Sequence, residues 1–296
     1  MRLLLVSWVA AGALAAGADP PTPTPAGNAD DLYDVGKQLF DQLAPPEVKE
    51  QYDFPTREDW DRFAARLQQA LDANSLEELA ALGPEARAAL RAVPGNDDYA
   101  DWLRLRIDYI EAAGEAVAPA PSQPAAPGPS SRIPHYDLWL RRERGRPAPA
   151  GAEALMPRLE SAFAAEGVPP QLAWMAEVES NMNPAARSPA GARGLFQLMP
   201  DTAHSLGLST MLPDDRTNPE KSARAAAHYL RSLYVKFGTW PLALAAYNAG
   251  EGRVSRLLDS RGVANFAGVS SGLPAETRMY VPKVCALVAL RTGVLL

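Results

Sequence analysis

The sequence predicts a mainly α protein, with a small separate helical domain, a Pro-rich linker and a larger carboxy-terminal helical domain. Three observations carry this. Apolar residues recur at helical spacing through most of the chain, no run alternates as a half-buried strand does, and the prolines are clustered between the helical stretches. With 296 residues, 47% of them apolar, there is chain enough to bury a substantial core.

Residues 1–18, MRLLLVSWVAAGALAAGA, read as a signal peptide. Arg2 gives a positive start, Leu3 to Leu14 an apolar core, and Ala16-Gly17-Ala18 a small-residue cleavage site. The run is too short to span a bilayer of about 30 Å. No cysteine stands near the cut, so the expectation is export to the periplasm or the extracellular space, not as a lipoprotein. Residues 19–28, DPPTPTPAGN, form a leader predicted to be disordered, with nothing to build a core from.

Residues 29–115 make the small helical domain. A first helix is expected from Asp31 to Leu43, stopped by Pro45-Pro46. A second opens at Thr56 with Asp59 three residues on, and carries Trp60, Phe63, Leu67 and Leu71 on one side. A third opens at Ser75 with Glu78 in the same arrangement, and Gly83-Pro84 interrupts it. A fourth runs from Asp97 to Ala113, with Trp102, Leu103, Ile107 and Ile110 aligned. No catalytic constellation appears here, and binding of a protein partner is one reading of the unit. Residues 116–132, rich in Pro, Ala and Ser, read as a semi-extended linker.

From 133 to 296 helical patterns resume. Helices are expected over Ala152–Glu166, from Pro170 onward, and over Asp201–Leu206, Pro219–Phe237, Pro241–Asn248, Gly252–Leu258 and Glu276–Leu290. Charge divides along the same line. Residues 1–131 hold 10 Lys/Arg against 21 Asp/Glu, a balance of −11, and residues 132–296 hold 19 against 14, a balance of +5. An anionic partner for the second half and an ordinary solvated surface both fit this asymmetry. His135, His204 and His228 are scattered without ligand spacing, so no metal site is expected. Cys285 is the lone cysteine; no intramolecular disulfide can form, and buried packing is its expected role.

One residue stands out in 172-LAWMAEVESNMNP-184. Leu172, Met175, Ala176 and Glu179 share a helical stripe, so a carboxylate occupies an apolar position, while Glu177 faces elsewhere. Burial raises a carboxyl's pKa, and a carboxyl protonated near neutral pH is what a general acid requires. On the stripe alone, pairing with an arginine such as Arg193 is the competing reading. The next segment, 187-RSPAGARGLFQLMP-200, adds glycines for tight backbone, the hydroxyl of Ser188 and the amide of Gln197. Phe196, Leu198 and Met199 offer apolar surface for packing or for a sugar face. A protonated acid among neutral hydrogen-bonding groups suits a carbohydrate better than a phosphate or a nucleic acid. Two further clusters, around Tyr247-Asn248 and Tyr280, bring a phenol and an amide; a helix end and a core tyrosine are the plainer readings of these.

Together, Glu179-Ser180, Ser188 through Pro200, Ala246 through Gly250 and Glu276 through Val281 resemble the lytic transglycosylases of the soluble type, relatives of goose-type lysozyme. Family members show E-S, then S-x-x-G-A-x-G-L-[MF]-Q-[LIVF]-M-P, A-Y-N-A-G and E-T-x-x-Y-V, and order and spacing fit over roughly residues 150–290. Phe196, where Met is frequent, is a mild departure that should alter packing and not chemistry. The resemblance implies a lysozyme-like α fold and cleavage of the β-1,4 bond between N-acetylmuramic acid and N-acetylglucosamine in peptidoglycan glycan strands, without a cofactor. It implies Glu179 as the acid/base, Ser188 and Gln197 as sugar-binding groups, and Tyr247, Asn248 and Tyr280 as residues shaping the site.

Ordinary glycosidases use two carboxylates. No second acid stands among these motifs. Asp201 reads as a helix N-cap, Asp214, Asp215 and Glu220 as connecting or helix-start residues, Glu251 as part of a glycine-flanked turn, and Glu276 as serving a helix terminus. With a single carboxyl the substrate must help, and closure of a 1,6-anhydro ring is the reaction expected from the resemblance. A hydrolytic muramidase using the same glutamate, and a non-catalytic wall-binding protein, are the alternatives.

Overall fold

A computed structural model of the chain describes residues 56–86, 98–118, 133–188 and 190–296, with positions 37 and 41 besides. The expected signal peptide, leader and most of the linker lie outside the described residues. Of the expected first helix only Lys37 and Asp41 are described, both helical. Among the described residues every regular element is helical, and β pairing is confined to isolated bridges of Arg193 with Arg187 and Leu198.

The capping boxes start their helices as expected. Thr56 Oγ1 accepts from the Asp59 amide at 3.2 Å to open α1 (Arg57–Asp72), and Ser75 Oγ accepts from Glu78 at 3.1 Å to open α2 (Leu76–Ala81). The stripe of α1 is buried at Leu67 and Leu71; the Trp60 side chain is outside the described set. Helix α3 (Asp98–Val117) buries Leu103, Ile107 and Ile110 as its pattern predicts, but also Tyr109, Ala112 and Ala113. The second buried face exists because α3 is wedged between α2 and the carboxy-terminal helices.

Helix α4 (Tyr136–Glu143) and helix α5 (Ala152–Ala165) follow. The segment after Pro169 departs from a single α-helix. A 3₁₀ turn, Pro170–Trp174, leads into the short α6 (Met175–Ser180), and all six residues of α6 are buried. The expected stripe is therefore buried, but so is the side holding Glu177: α6 is enclosed by α3, α12 and the 3₁₀ turn.

Helix α7 (Pro200–Ser205) begins one residue earlier than expected. Pro200 suits a first helical position, so Met199 is the cap and Asp201 sits in the first turn. Helices α8 (Pro219–Phe237), α9 (Trp240–Ala249) and α10 (Glu251–Arg261) come next, with Glu251 as the first residue of α10 and not part of a free turn. The sequence reading missed α11 (Phe266–Ser270), whose five residues are too few to show a period; Asn265 caps it through the Gly268 amide.

Helix α12 (Ala275–Thr292) is buried nearly all round from Ala275 to Val288, as an axis of a core must be. Its start is held by the amino-terminal helices: the Ala275 amide donates to Ala73 O at 2.7 Å, and Arg278 Nη1 to Asn74 O at 2.7 Å. Lower down, Lys283, only 3% exposed, donates to Asp108 of α3 at 2.9 Å and lies over the rings of Trp139 and Tyr109. One continuous apolar core runs from Leu67, Leu79 and Ile110 to Trp139, Phe163, Leu230 and Val288. The helices of 56–117, read from sequence as a unit of their own, thus pack into the same core as the helices beyond the linker. Cys285 is part of it, and burial pushes its thiol up to about 12, fitting a packing role.

Candidate active site

The centre is built at the end of α6. Asn181 (φ 52°) and Met182 (φ 61°) are both left-handed, and the Asn181 and Met182 amides return to Glu177 O and Ala176 O, closing the helix. Glu179 and Ser180 therefore occupy the last turn. Ser180 Oγ donates to Ala176 O and, across a gap in sequence, to Leu195 O, each at 3.0 Å. The sequence reading saw Ser180 only as half of a motif. Its hydroxyl ties the helix carrying the acid to the glycine-rich loop.

That loop, residues 186–199, is shaped by close backbone approach. A Cβ on Gly194 (φ 78°) would lie 1.9 Å from Arg216 O, so only glycine fits. Arg216 is 4% exposed and reaches back into the loop, donating to Gly191 O at 2.9 Å and Leu198 O at 3.1 Å, while Asp214 accepts from its Nε and Nη2 at 3.0 and 2.7 Å. Asp214 also accepts from Arg193 Nη1 at 3.3 Å. Arg193 is thus engaged with Asp214, and the pairing of Glu179 with Arg193 weighed from sequence does not form.

Other candidate residues fall around this frame. Gln197 is left-handed (φ 45°), and its Nε2 donates to Gly194 O at 2.9 Å and Ala186 O at 3.4 Å. Ser188 Oγ accepts from the Ala192 amide at 3.0 Å, so it caps the turn of the loop. Of the expected apolar surface, Phe196 and Leu198 are core residues, Phe196 with its ring 5.5 Å from that of Phe163; Met199 alone is exposed, at 43%. From α9, the Tyr247 hydroxyl donates to Phe196 O at 2.7 Å. Asn248 Oδ1 accepts from Thr277 Oγ1 of α12 at 2.6 Å.

Glu179 is 9% exposed, and among the described residues it makes no ion pair. Burial is the main cause that pushes its pKa up, to about 7; Tyr280 and Arg106 act to lower it, and Glu276 adds to the rise. Tyr280 is 1% exposed and its hydroxyl has no partner in ordinary hydrogen-bond geometry. It is nevertheless close enough to Glu179 for the phenol to hold the carboxyl down and, burial first, for the carboxylate to push the phenol well above its usual value. The two groups are thus near neighbours whose geometry falls short of an ordinary hydrogen bond. Tyr247 also rises, from burial and then from the charge of Glu179. Glu179, Tyr247 and Tyr280 therefore form one cluster, with Gln197 and Asn248 on the segments that bound it.

Sequence reasoning missed Arg106 and Tyr109 of α3 and gave Glu276 only a terminus to serve. Arg106 Nη2 lies 3.1 Å from Glu276 Oε1. No local signal marks such a pair, because its members are far apart in the chain. A surface cavity of about 610 Å³, lined by Glu166, Asp215, Lys221, Arg224 and His228 among others, contains none of the candidate residues. Several of its polar side chains are engaged with each other, Lys221 with Asp215 at 2.6 Å and His228 Nδ1 with Glu166 at 3.2 Å. Among the described residues no cluster of His, Cys, Asp and Glu could hold a metal ion.

A mainly helical chain with a buried, protonatable carboxyl, Glu179, that makes no ion pair among the described residues is the class that fold and site define. Residues 159–267 match the family model described as Transglycosylase SLT domain. Over 125 residues it is 39% identical to the Membrane-bound lytic murein transglycosylase D of Escherichia coli K12, covering 40% of this chain and 27% of that protein. Over 120 residues it is 39% identical to the Soluble lytic murein transglycosylase of Salmonella typhimurium, covering 38% of this chain and 19% of that protein. The chain thus spans about a quarter or less of the length of these curated relatives. Among solved structures, an inactive mutant of the lytic transglycosylase Slt from Pseudomonas aeruginosa is similar at 19% identity and a TM-score of 0.43, covering 90% of this chain and 49% of that one. At that score the likeness is too loose to bear on the arrangement of elements.

Proposed function

We propose that this chain is a lytic transglycosylase of peptidoglycan, cleaving the β-1,4 bond between N-acetylmuramic acid and N-acetylglucosamine and leaving a 1,6-anhydro end. The observation that carries the reading is Glu179, buried, without an ion pair among the described residues and pushed up to about 7, inside the segment that matches the family model. The names of the relatives support the same activity.

Protonated Glu179 gives its proton to the glycosidic oxygen as the bond from C1 breaks. The acetamido oxygen of the muramic residue stabilises the positive charge at C1, which replaces a second carboxylate. Ionised Glu179 then takes the proton of the C6 hydroxyl, the oxygen bonds to C1, and the anhydro ring closes with Glu179 protonated again. No water is consumed. Gln197, Ser188 and Asn248 hold the sugar at the loop and helix ends, and Tyr247 and Tyr280 set the position and polarity of the acid. The protein acts on exported glycan, in the periplasm or outside the cell.

Mass spectrometry of digested purified peptidoglycan tests this. Anhydro-muramic ends are expected; reducing ends would make the protein a hydrolytic muramidase, and no released fragments would make it a wall-binding protein without this chemistry.

A further inference from the structure

Helix α3 lies outside the segment matched by the family model, yet it packs against both α6, which carries Glu179, and α12. The Arg106 and Glu276 side chains are 13% and 17% exposed and 3.1 Å apart. Arg106 lies over the ring of Trp102, 5.2 Å from its centroid, and its Nε is buried without a hydrogen-bond partner. Three positions further on, Tyr109 is 1% exposed, and its phenol feels the charges of Arg106, Glu276 and Glu179 together, after burial itself. The groups electrostatically coupled to Glu179 are Tyr280 and Glu276 from α12, Tyr247 from α9, and Arg106 and Tyr109 from α3.

A second carboxylate near Glu179 strengthens the hold of Glu179 on its proton unless a cation engages that carboxylate. We propose that Arg106 is a positioning residue of the catalytic centre: by pairing with Glu276 it offsets the second carboxylate, so that the proton on Glu179 stays transferable and is not locked to the carboxyl. The proposal rests on Glu179 being the acid. It gives the amino-terminal helices a role within the active site, as the wall that supplies the cation.

The test is the pH dependence of kcat/KM for release of soluble fragments from purified peptidoglycan by the full chain, with thermal unfolding followed alongside. Arg106→Met removes a cation that holds Glu179 down, so the alkaline limb should move up by about one pH unit. Arg106→Lys, which keeps the charge, should return the limb toward its original position. Glu276→Gln removes an anion that pushes Glu179 up, and the limb should move down. An unmoved limb in folded Arg106→Met, or a Lys variant that behaves like the Met variant, overturns the proposal. Should Arg106→Met fail to fold, an unmoved limb in Glu276→Gln overturns it instead. Absence of any release by the unsubstituted protein would count against the proposed function and not against the pairing.

Discussion

Glu177 and Glu179 lie two positions apart on one short helix, and each is 9% exposed. Arg291 of α12 grips Glu177 through two donors, at 2.6 and 3.0 Å. Glu179 has no such partner among the described residues. Equal burial with unequal pairing separates a structural carboxylate from a protonatable one. Glu177 ties α6 to α12, and Glu179 is left with the desolvation that a general acid exploits.

The pKa of Glu179 predicts how turnover and stability respond to pH. The acid step needs the protonated form, so kcat/KM should fall as pH rises through about 7. Because the folded-state pKa lies above the unfolded one, the contribution of this group to stability is fully present below about 4.5 and is lost as pH rises through about 7. Glu179→Gln should therefore abolish turnover, fold normally and, relative to the unsubstituted protein, gain on the order of 3 kcal/mol between those pH values. Chemical denaturation at pH 4.5 and pH 8 measures the difference; equal gaps at both would contradict the shift.

Glycine is required at position 194 more than at 191. Both have positive φ, but a Cβ at Gly191 would meet only Pro200 Cγ at 3.9 Å, an ordinary contact, whereas at Gly194 it would meet Arg216 O at 1.9 Å. Gly191→Ala should cost about 1–2 kcal/mol of left-handed strain. Gly194→Ala must displace the backbone at Arg216 as well, so it should melt lower still and lose most of its turnover. Melting temperatures of the two variants give the comparison.

Two hydroxyls hold adjacent carbonyls of the loop: Ser180 takes Leu195 O and Tyr247 takes Phe196 O. Ser180→Ala leaves a buried carbonyl unsatisfied and should cost about 1–3 kcal/mol, and Tyr247→Phe a similar amount. Both should reduce kcat while the fold persists, since the loop between them loses its anchorage to the helix of the acid. Retention of full kcat in both variants would show that these bonds do not position the site.

Lys283→Met tests the joint between α3 and α12. Its ammonium donates to Asp108 and lies 3.8 Å from Glu143. Burial alone would push Asp108 up, but Lys283 and the hydrogen bond from Arg146 hold it far below the usual carboxylate range. Removing one partner of a buried pair costs roughly 3–5 kcal/mol. The depressed carboxyl contributes stability above about 3.8 that is lost only as pH falls well below that value. In Lys283→Met part of that contribution disappears, and acid unfolding should begin at a higher pH. Circular dichroism against pH reads both effects.

Much of this was legible locally. Thr56 with Asp59, Ser75 with Glu78, Pro219 at a helix start and Gly238 at its end mark boundaries because capping groups and their partners are three or four residues apart. Glu179 stood out because it breaks an apolar stripe, whereas Gln197, Tyr247 and Tyr280 were singled out as site residues by the resemblance of their segments to a known family. The 3₁₀ turn before α6 and the five-residue α11 were not, since neither is long enough to show a period. Ser188 and Gln197 were read as ligand groups, while their roles in holding the loop depend on backbone atoms that its fold brings back to them.

The sequence alone determined that the chain is helical, where most helices begin and end, and that a carboxyl falls among apolar positions before a glycine-rich loop. Only the tertiary structure decided that Arg291 belongs to Glu177, that Arg193 belongs to Asp214, and that Arg106 crosses from the amino-terminal helices to Glu276 beside the acid. Caps and periodicity act over one or two helical turns and so leave a trace in the order of residues. Charge pairing follows distance through space, and its partners here lie 114, 21 and 170 positions apart.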